Sequence, residues 1–193
     1  MTKENLIFPV PLVTHVDENF SKYKEELTAW VYKERDRVPS DPHSNIEGYQ
    51  SAKGLYKRPD FAEFTKHFGA VFGPVLSKYF CTRYTFECSY DLTNCWFNIN
   101  YPGAFNLLHC HPGVDLVCVF WLKAPKNSGN LGLQNPHVFT CNNMVEGEMY
   151  TVEPYEGEFV FFPASILHLV SQNKSTEDRI SFAFNFKQRL DYG

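Results

Sequence analysis

The chain has 193 residues, six cysteines and a formal charge of −4, with a sequence pI near 6.0. That length suffices for one domain with a full apolar core and no disulfide staples, and the acidic balance gives no basic field for nucleic acid phosphates or an anionic membrane. No apolar run reaches membrane-spanning length, the cysteines (Cys81, Cys88, Cys95, Cys110, Cys118, Cys141) form no CxxC, and no secretory leader is read, so the expectation is a soluble, cytoplasmic protein with reduced thiols.

From about Asn19 to Arg37 the apolar residues Phe20, Tyr23, Leu27, Trp30 and Val31 recur at helical spacing between lysines and glutamates, which predicts an amphipathic helix with Asp17 as its cap. The stretch from Arg37 to Asp60 is rich in Pro, Gly, Ser and Asn and reads as a long loop, a candidate lid. A second helix is expected beyond it, with Phe61, Phe64, Phe68, Val71, Phe72, Val75 and Leu76 on one stripe and a break or kink at Gly73 and Pro74.

From Arg83 onward the texture changes to β. "RYTFECSYDLTNCWFNINY" alternates aromatic and polar residues, and "VDLVCVFWLKA", "MYTVEPYEGEFVFFP" and "RISFAFNFK" are Val/Ile/Phe/Tyr-rich runs separated by turn clusters. Short strands with no helix between them predict an antiparallel sandwich or barrel. The expected architecture is α+β but mainly β: one domain, with a helical part (residues 1–82, including the loop 37–60) packed on a β core (residues 83–193).

The segment "AFNLLHCHPGVDLVCVFWL" (Ala104 to Leu122) places His109 and His111 one residue apart, just before an apolar run. Alone they are either metal ligands or ordinary polar residues. Cys110, between them, points the other way along an extended chain and is not expected to be a ligand. In "EGEFVFFPASILHLV" a strand ends at Pro163 and His168 opens the next run; eleven residues on, Arg179 opens "RISFAFN", with Ser181 on the same strand face. Brought together in a closed β structure, the three histidines would form a mononuclear metal site with an anion-binding arginine beside it. Three protein ligands on one face of iron(II) leave positions for a chelating 2-oxoacid and dioxygen. The far carboxylate of such an acid needs a bidentate cation, the role that Arg179 fits, with Ser181 completing the cradle.

The runs "SNIEGYQS" (Ser44 to Ser51), "WFNINYPGAFNLLHCHPG", "VFWLKAPKNSGNL", "GEFVFFPASILHLV" and "RISFAFN" together resemble the 2-oxoglutarate and iron(II) dependent oxygenases. The resemblance implies a double-stranded β-helix of jelly-roll or cupin-like form. It also implies Fe(II), 2-oxoglutarate and O2 as cofactor and co-substrates, succinate and carbon dioxide as co-products, and hydroxylation of a substrate that the sequence does not identify. Residue by residue, His109 matches the first histidine of the HxD motif, His168 the distal histidine, and Arg179 with Ser181 the RxS motif that holds the co-substrate. His111 departs from the pattern, standing where a carboxylate is usual. Either iron takes His109, His111 and His168, the preferred reading, or Asp115 supplies a carboxylate in place of one of the close pair.

A rival reading uses much the same residues. Gly103, His109, His111 and Asp115 follow the first cupin signature, and Gly157, Pro163 and His168 the second, with Ser165 in place of a glycine. A cupin would keep the fold but be a metal-binding protein, a dioxygenase that does not use 2-oxoglutarate, or a non-catalytic binding module. The Arg179 and Ser181 pair favours the oxygenase. Of the other polar residues, Asn98 and Asn100 are candidates to bond the co-substrate, whereas His15, His43, His67 and His137 are expected at the surface, in a loop or on a helix.

Overall fold

The computed structural model describes residues 9–82, 87–137 and 148–191. Two helices, α1 (Lys24–Arg37) and α2 (Ala62–Leu76), accompany eleven strands: β1 (Val13–Val16), β2 (Asn45–Ile46), β3 (Tyr49–Gln50), β4 (Glu87–Asn100), β5 (Phe105–His109), β6 (Leu116–Lys123), β7 (Leu131–Gln134), β8 (Met149–Val152), β9 (Glu158–Pro163), β10 (His168–Val170) and β11 (Arg179–Asp191). They form a six-stranded sheet in the order β1-β9-β6-β11-β4-β3 and a five-stranded sheet in the order β2-β5-β10-β7-β8. Each described strand pairing is antiparallel. From β4 onward consecutive strands pass repeatedly between the sheets, the winding of a double-stranded β-helix.

Period-two alternation gives the large sheet two different faces. Cys95, Phe97 and Ile99 on β4, with Ile180, Phe182, Phe184 and Phe186 on β11, join α1 and α2 in the main apolar core. Phe68 of α2 packs its ring 5.0 to 5.9 Å from those of Phe120, Phe159, Phe182 and Phe184. The intervening residues Asn94, Trp96 and Asn98 on β4, and Arg179, Ser181, Ala183 and Asn185 on β11, line a cavity shared with β5, β7 and β10 of the small sheet. Helix packing on one face thus leaves the other free to carry polar chemistry.

Several sequence expectations need adjustment. The first helix begins at Lys24, after a 3-10 turn at Phe20–Lys22, and neither has a side-chain cap; Asp17 instead accepts from the Asn19 amide at 2.8 Å and from the Tyr23 hydroxyl at 2.6 Å. Gly73 and Pro74 do not break α2, which runs on to Leu76 and then into a π turn, Ser77–Cys81. Pro74 removes a donor to the Ala70 carbonyl, but Ala70, Gly73 and Pro74 all lie on the exposed side, where water satisfies the freed group.

The stretch 37–60 is not a plain loop. It contributes β2 to the small sheet and β3 to the large one. Arg58 donates to the buried Glu34 and to the exposed Asp60, tying the stretch to α1. At Gly48 an added Cβ would fall 2.3 Å from Asn45 Oδ1 and 2.4 Å from the Ile99 carbonyl oxygen, so only glycine permits that approach to β4. The stretch is therefore partly strand, and its His43, Ser44, Gln50 and Lys53 line the cavity. The first residues expected to be β, 83–86, and Cys141 lie outside the described residues.

Candidate metal and co-substrate site

His109 closes β5 and His168 opens β10, and the two are direct partners in the ladder. Their ring centroids lie 4.3 Å apart. His111, two residues past β5, is held by a bond from its backbone amide to the Ala164 carbonyl (3.0 Å). That hold brings its ring to 5.3 Å from His109 and 5.0 Å from His168. One ligating nitrogen from each of the three falls within 4.8 Å of the others.

The second nitrogen of each ring decides the tautomer. His109 Nδ1 lies 2.7 Å from the Leu107 carbonyl oxygen, His168 Nδ1 lies 2.9 Å from that of Ile166, and His111 Nδ1 lies 2.6 Å from Asn185 Oδ1. Oxygens of these kinds only accept, so each Nδ1 carries the proton and each Nε2 presents a lone pair. Burial holds the imidazoles in that neutral form. It lowers the pKa of His109, takes His111 to about 4 and His168 to about 3, with the neighbouring histidines adding to the drop in the last two. Three neutral nitrogen donors converging on one point fit a divalent transition metal ion.

Arg179 is 0 % exposed, and none of its Nε, Nη1 and Nη2 atoms has a hydrogen-bond partner. Burial lowers its pKa to about 10, which leaves it a cation at neutral pH. An unpaired buried guanidinium is costly unless an anion meets it. Arg179 lines the same cavity as the three histidines, a space of about 570 Å³ that also receives Ser181, Asn98, Asn106, Leu131 and Val170. Ser181 stands opposite Asn98 across the β11–β4 ladder, and Arg179 opposite Asn100. The cavity therefore has an unpartnered cation and a tri-histidine cluster along one wall and its facing strands.

The five residues singled out in the sequence, His109, His111, His168, Arg179 and Ser181, all line this cavity. Asp115 does not join the histidines: it is exposed, with its carboxylate taken by the Gln188 amide (2.7 Å) and by Lys187 Nζ (3.2 Å). Cys110 lines the cavity without belonging to the convergent group. Asn98 faces the cavity, whereas Asn100 donates to Asn106 Oδ1 at 2.9 Å and supports the wall. His67 stacks on Tyr23, His15 and His137 are exposed, and His43 stands at the cavity rim beside Asp41. Two residues escape the sequence reading: Asn185, the partner of His111, and Asn106, which bridges Asn100 and Ser44. For Asn185 a signal exists, since Arg179, Ser181, Ala183 and Asn185 are the polar or small positions of one alternating strand face.

Residues 94–185 match the family model described as "Putative 2OG-Fe(II) oxygenase". Among solved structures the chain is similar to a prolyl-4-hydroxylase from Pseudomonas putida, with a TM-score of 0.63 at 16 % identity, covering 92 % of each chain. It is also similar to the Trichoplax adhaerens prolyl hydroxylase solved with a hypoxia inducible factor peptide, with a TM-score of 0.67 at 13 % identity over 91 % of this chain and 83 % of that one. HygX from Streptomyces hygroscopicus, solved with nickel and 2-oxoglutarate, gives a TM-score of 0.63 at 10 % identity over 92 % and 83 %. Among curated proteins none matches. At these identities the solved structures establish the fold, and the matched residues 94–185 include the three histidines, Arg179 and Ser181. Over residues 94–185 the chain thus matches a 2OG-Fe(II) oxygenase family model, and its fold is the double-stranded β-helix of the solved structures that it is similar to. That family uses Fe(II) and 2-oxoglutarate. No described helix is long and apolar enough to cross a membrane.

Proposed function

We propose that His109, His111 and His168 hold iron(II), that Arg179 and Ser181 grip the distal carboxylate of 2-oxoglutarate, and that the protein hydroxylates a substrate admitted through the open side of the cavity. The observation that carries this reading is the fully buried, unpartnered Arg179 guanidinium in the cavity that the histidine cluster lines. Bound together, iron(II), 2-oxoglutarate and dioxygen supply the oxidising power for a C–H bond, releasing succinate and carbon dioxide. The chain's own work is placement. Leu107, Ile166 and Asn185 fix the imidazoles through their Nδ1 protons. Arg179 orients the acid from its far end, and Leu131 and Val170 give its methylenes a dry wall.

The cupin reading loses its acidic ligand, since Asp115 is committed to Lys187 and Gln188. We also place the protein in the cytoplasm as a single unit over residues 1–193 that takes no nucleic acid. The five described cysteines are free thiols, and the net charge of −4 offers phosphates no attraction. Thermal denaturation tests the proposal. Cobalt(II) should raise Tm, and 2-oxoglutarate should raise it further only in the presence of the metal. A 2-oxoglutarate shift that is absent, or equal without metal, contradicts it.

A further inference from the structure

The proposed co-substrate accounts for Arg179 and Ser181 but leaves the β3 edge of the same sheet unexplained. That edge belongs to the stretch "SNIEGYQSAK" (Ser44 to Lys53), whose β3 lies against β4 with Gln50 beside Asn98, the residue that Ser181 flanks on the other side. Gln50 is 2 % exposed at the protein surface and lines the cavity. Three residues on, Lys53 lies over the Trp96 ring at 5.6 Å from its centroid. The same ring also neighbours His111, at 5.5 Å between centroids. No described carboxylate pairs with Lys53.

Charge separates this cavity from the rest of the molecule. The chain has 22 Asp and Glu residues against 18 Lys and Arg, yet no described residue lining the cavity is acidic, and two, Lys53 and Arg179, are cations. Three neutral imidazoles also leave the full charge of a divalent ion uncompensated, where a carboxylate ligand would have cancelled part of it. After a dianionic co-substrate takes Arg179, the Lys53 cation and the Gln50 amide remain on the Trp96 side. The volume of about 570 Å³ is that of a small-molecule site.

We infer that the substrate is a small anion, bearing a carboxylate or phosphate group that Lys53 binds across the face of Trp96 with the Gln50 amide as a further donor. The inference rests on the oxygenase reading above and names the substrate class of the same site. Lys53 is a binding residue for specificity, placed to hold one end of the substrate while another part lies beside His111.

The test uses the full chain loaded with cobalt(II) and 2-oxoglutarate. Phenyl phosphate, benzoate and neutral benzyl alcohol serve as probes, and their proton relaxation by the paramagnetic ion reports both binding and proximity. One or both anions should bind at least about tenfold tighter than benzyl alcohol, without displacing 2-oxoglutarate. Lys53→Gln should lose most of that preference, and Lys53→Arg should retain it. Phenyl phosphate alone binding identifies a phosphate ester as the source of the charge, and benzoate alone identifies a carboxylate. Equal binding of all three probes, displacement of 2-oxoglutarate, or an anion preference unchanged in Lys53→Gln overturns the inference. Failure of 2-oxoglutarate to bind the cobalt-loaded wild type would instead sink the oxygenase reading beneath it, so the two failures are distinguishable.

Discussion

Asn185 accepts the Nδ1 proton of His111 at 2.6 Å, and it stands on β11, the strand that begins with Arg179. A single strand face thus carries both a residue that orients a candidate metal ligand and the cation proposed for the co-substrate. The other two histidines lean on backbone carbonyls, which no substitution removes. Asn185→Ala should therefore weaken cobalt(II) affinity by roughly 10- to 100-fold by freeing the His111 ring. Asn185→Asp should retain or strengthen it, since a carboxylate accepts the same proton more firmly. Calorimetric titration of both variants is the check, and an Asn185→Ala affinity equal to wild type removes the positioning role.

Arg179 gives a prediction whose sign runs against intuition. In the metal-free, ligand-free protein its guanidinium is a buried charge without a partner, so Arg179→Met should leave thermal stability equal to or above wild type. The same variant should lose the stabilisation that 2-oxoglutarate gives the metal-loaded protein. Denaturation scans with and without the acid read both effects. A large loss of stability in the ligand-free variant would mean that the arginine serves packing.

The histidine cluster sets a pH dependence. Burial lowers the pKa of His111 to about 4 and of His168 to about 3, against ~6.5 in an unfolded chain. As pH falls below ~6.5 the unfolded chain takes up protons that the folded rings refuse, so their contribution to stability is full above that value and drains away down to pH 4 and 3. Above pH 6 protons hardly compete for the His111 and His168 rings. Cobalt(II) affinity should fall by no more than about fourfold between pH 7.5 and 6, the most that His109 alone could cost, whereas three imidazoles of ordinary pKa would lose about fiftyfold over that span. A steep fall there contradicts the burial account.

Asp115 separates the two ligand sets raised by the sequence. Its carboxylate belongs to Lys187 and the Gln188 amide, so Asp115→Asn should leave metal affinity within about twofold of wild type and cost the fold only a fraction of a kcal/mol, as for an exposed pair. Titration of that variant with cobalt(II) tests it directly. A loss of tenfold or more restores Asp115 as a ligand.

Much of the site was legible because β alternation is a strict local rule. The interval from Arg179 to Ser181 puts both on one face whatever the fold, and "FFP" followed by His168 marks a strand end. Asn185 obeys the same alternation, yet its partner His111 is 74 residues away. Such pairing depends on how the sheets close, which no local pattern states. The stretch 37–60 misled for a related reason. Its two strands have two residues each, too short to show a period, and they form because β4 and β5 offer open edges and Gly48 permits the approach. The uninterrupted passage of α2 through Pro74 depends on which side of the helix meets water, again a tertiary fact.

The central claim is that one cavity holds iron on three histidines and 2-oxoglutarate on Arg179. Anaerobic titration of the protein with iron(II) and then 2-oxoglutarate tests it most directly, because chelation of the metal by the acid gives a weak visible charge-transfer band. The account predicts a band in the wild type that weakens strongly in Arg179→Ala and is absent in His168→Ala. Iron binding without a band, or a band of equal strength and affinity in Arg179→Ala, would contradict it.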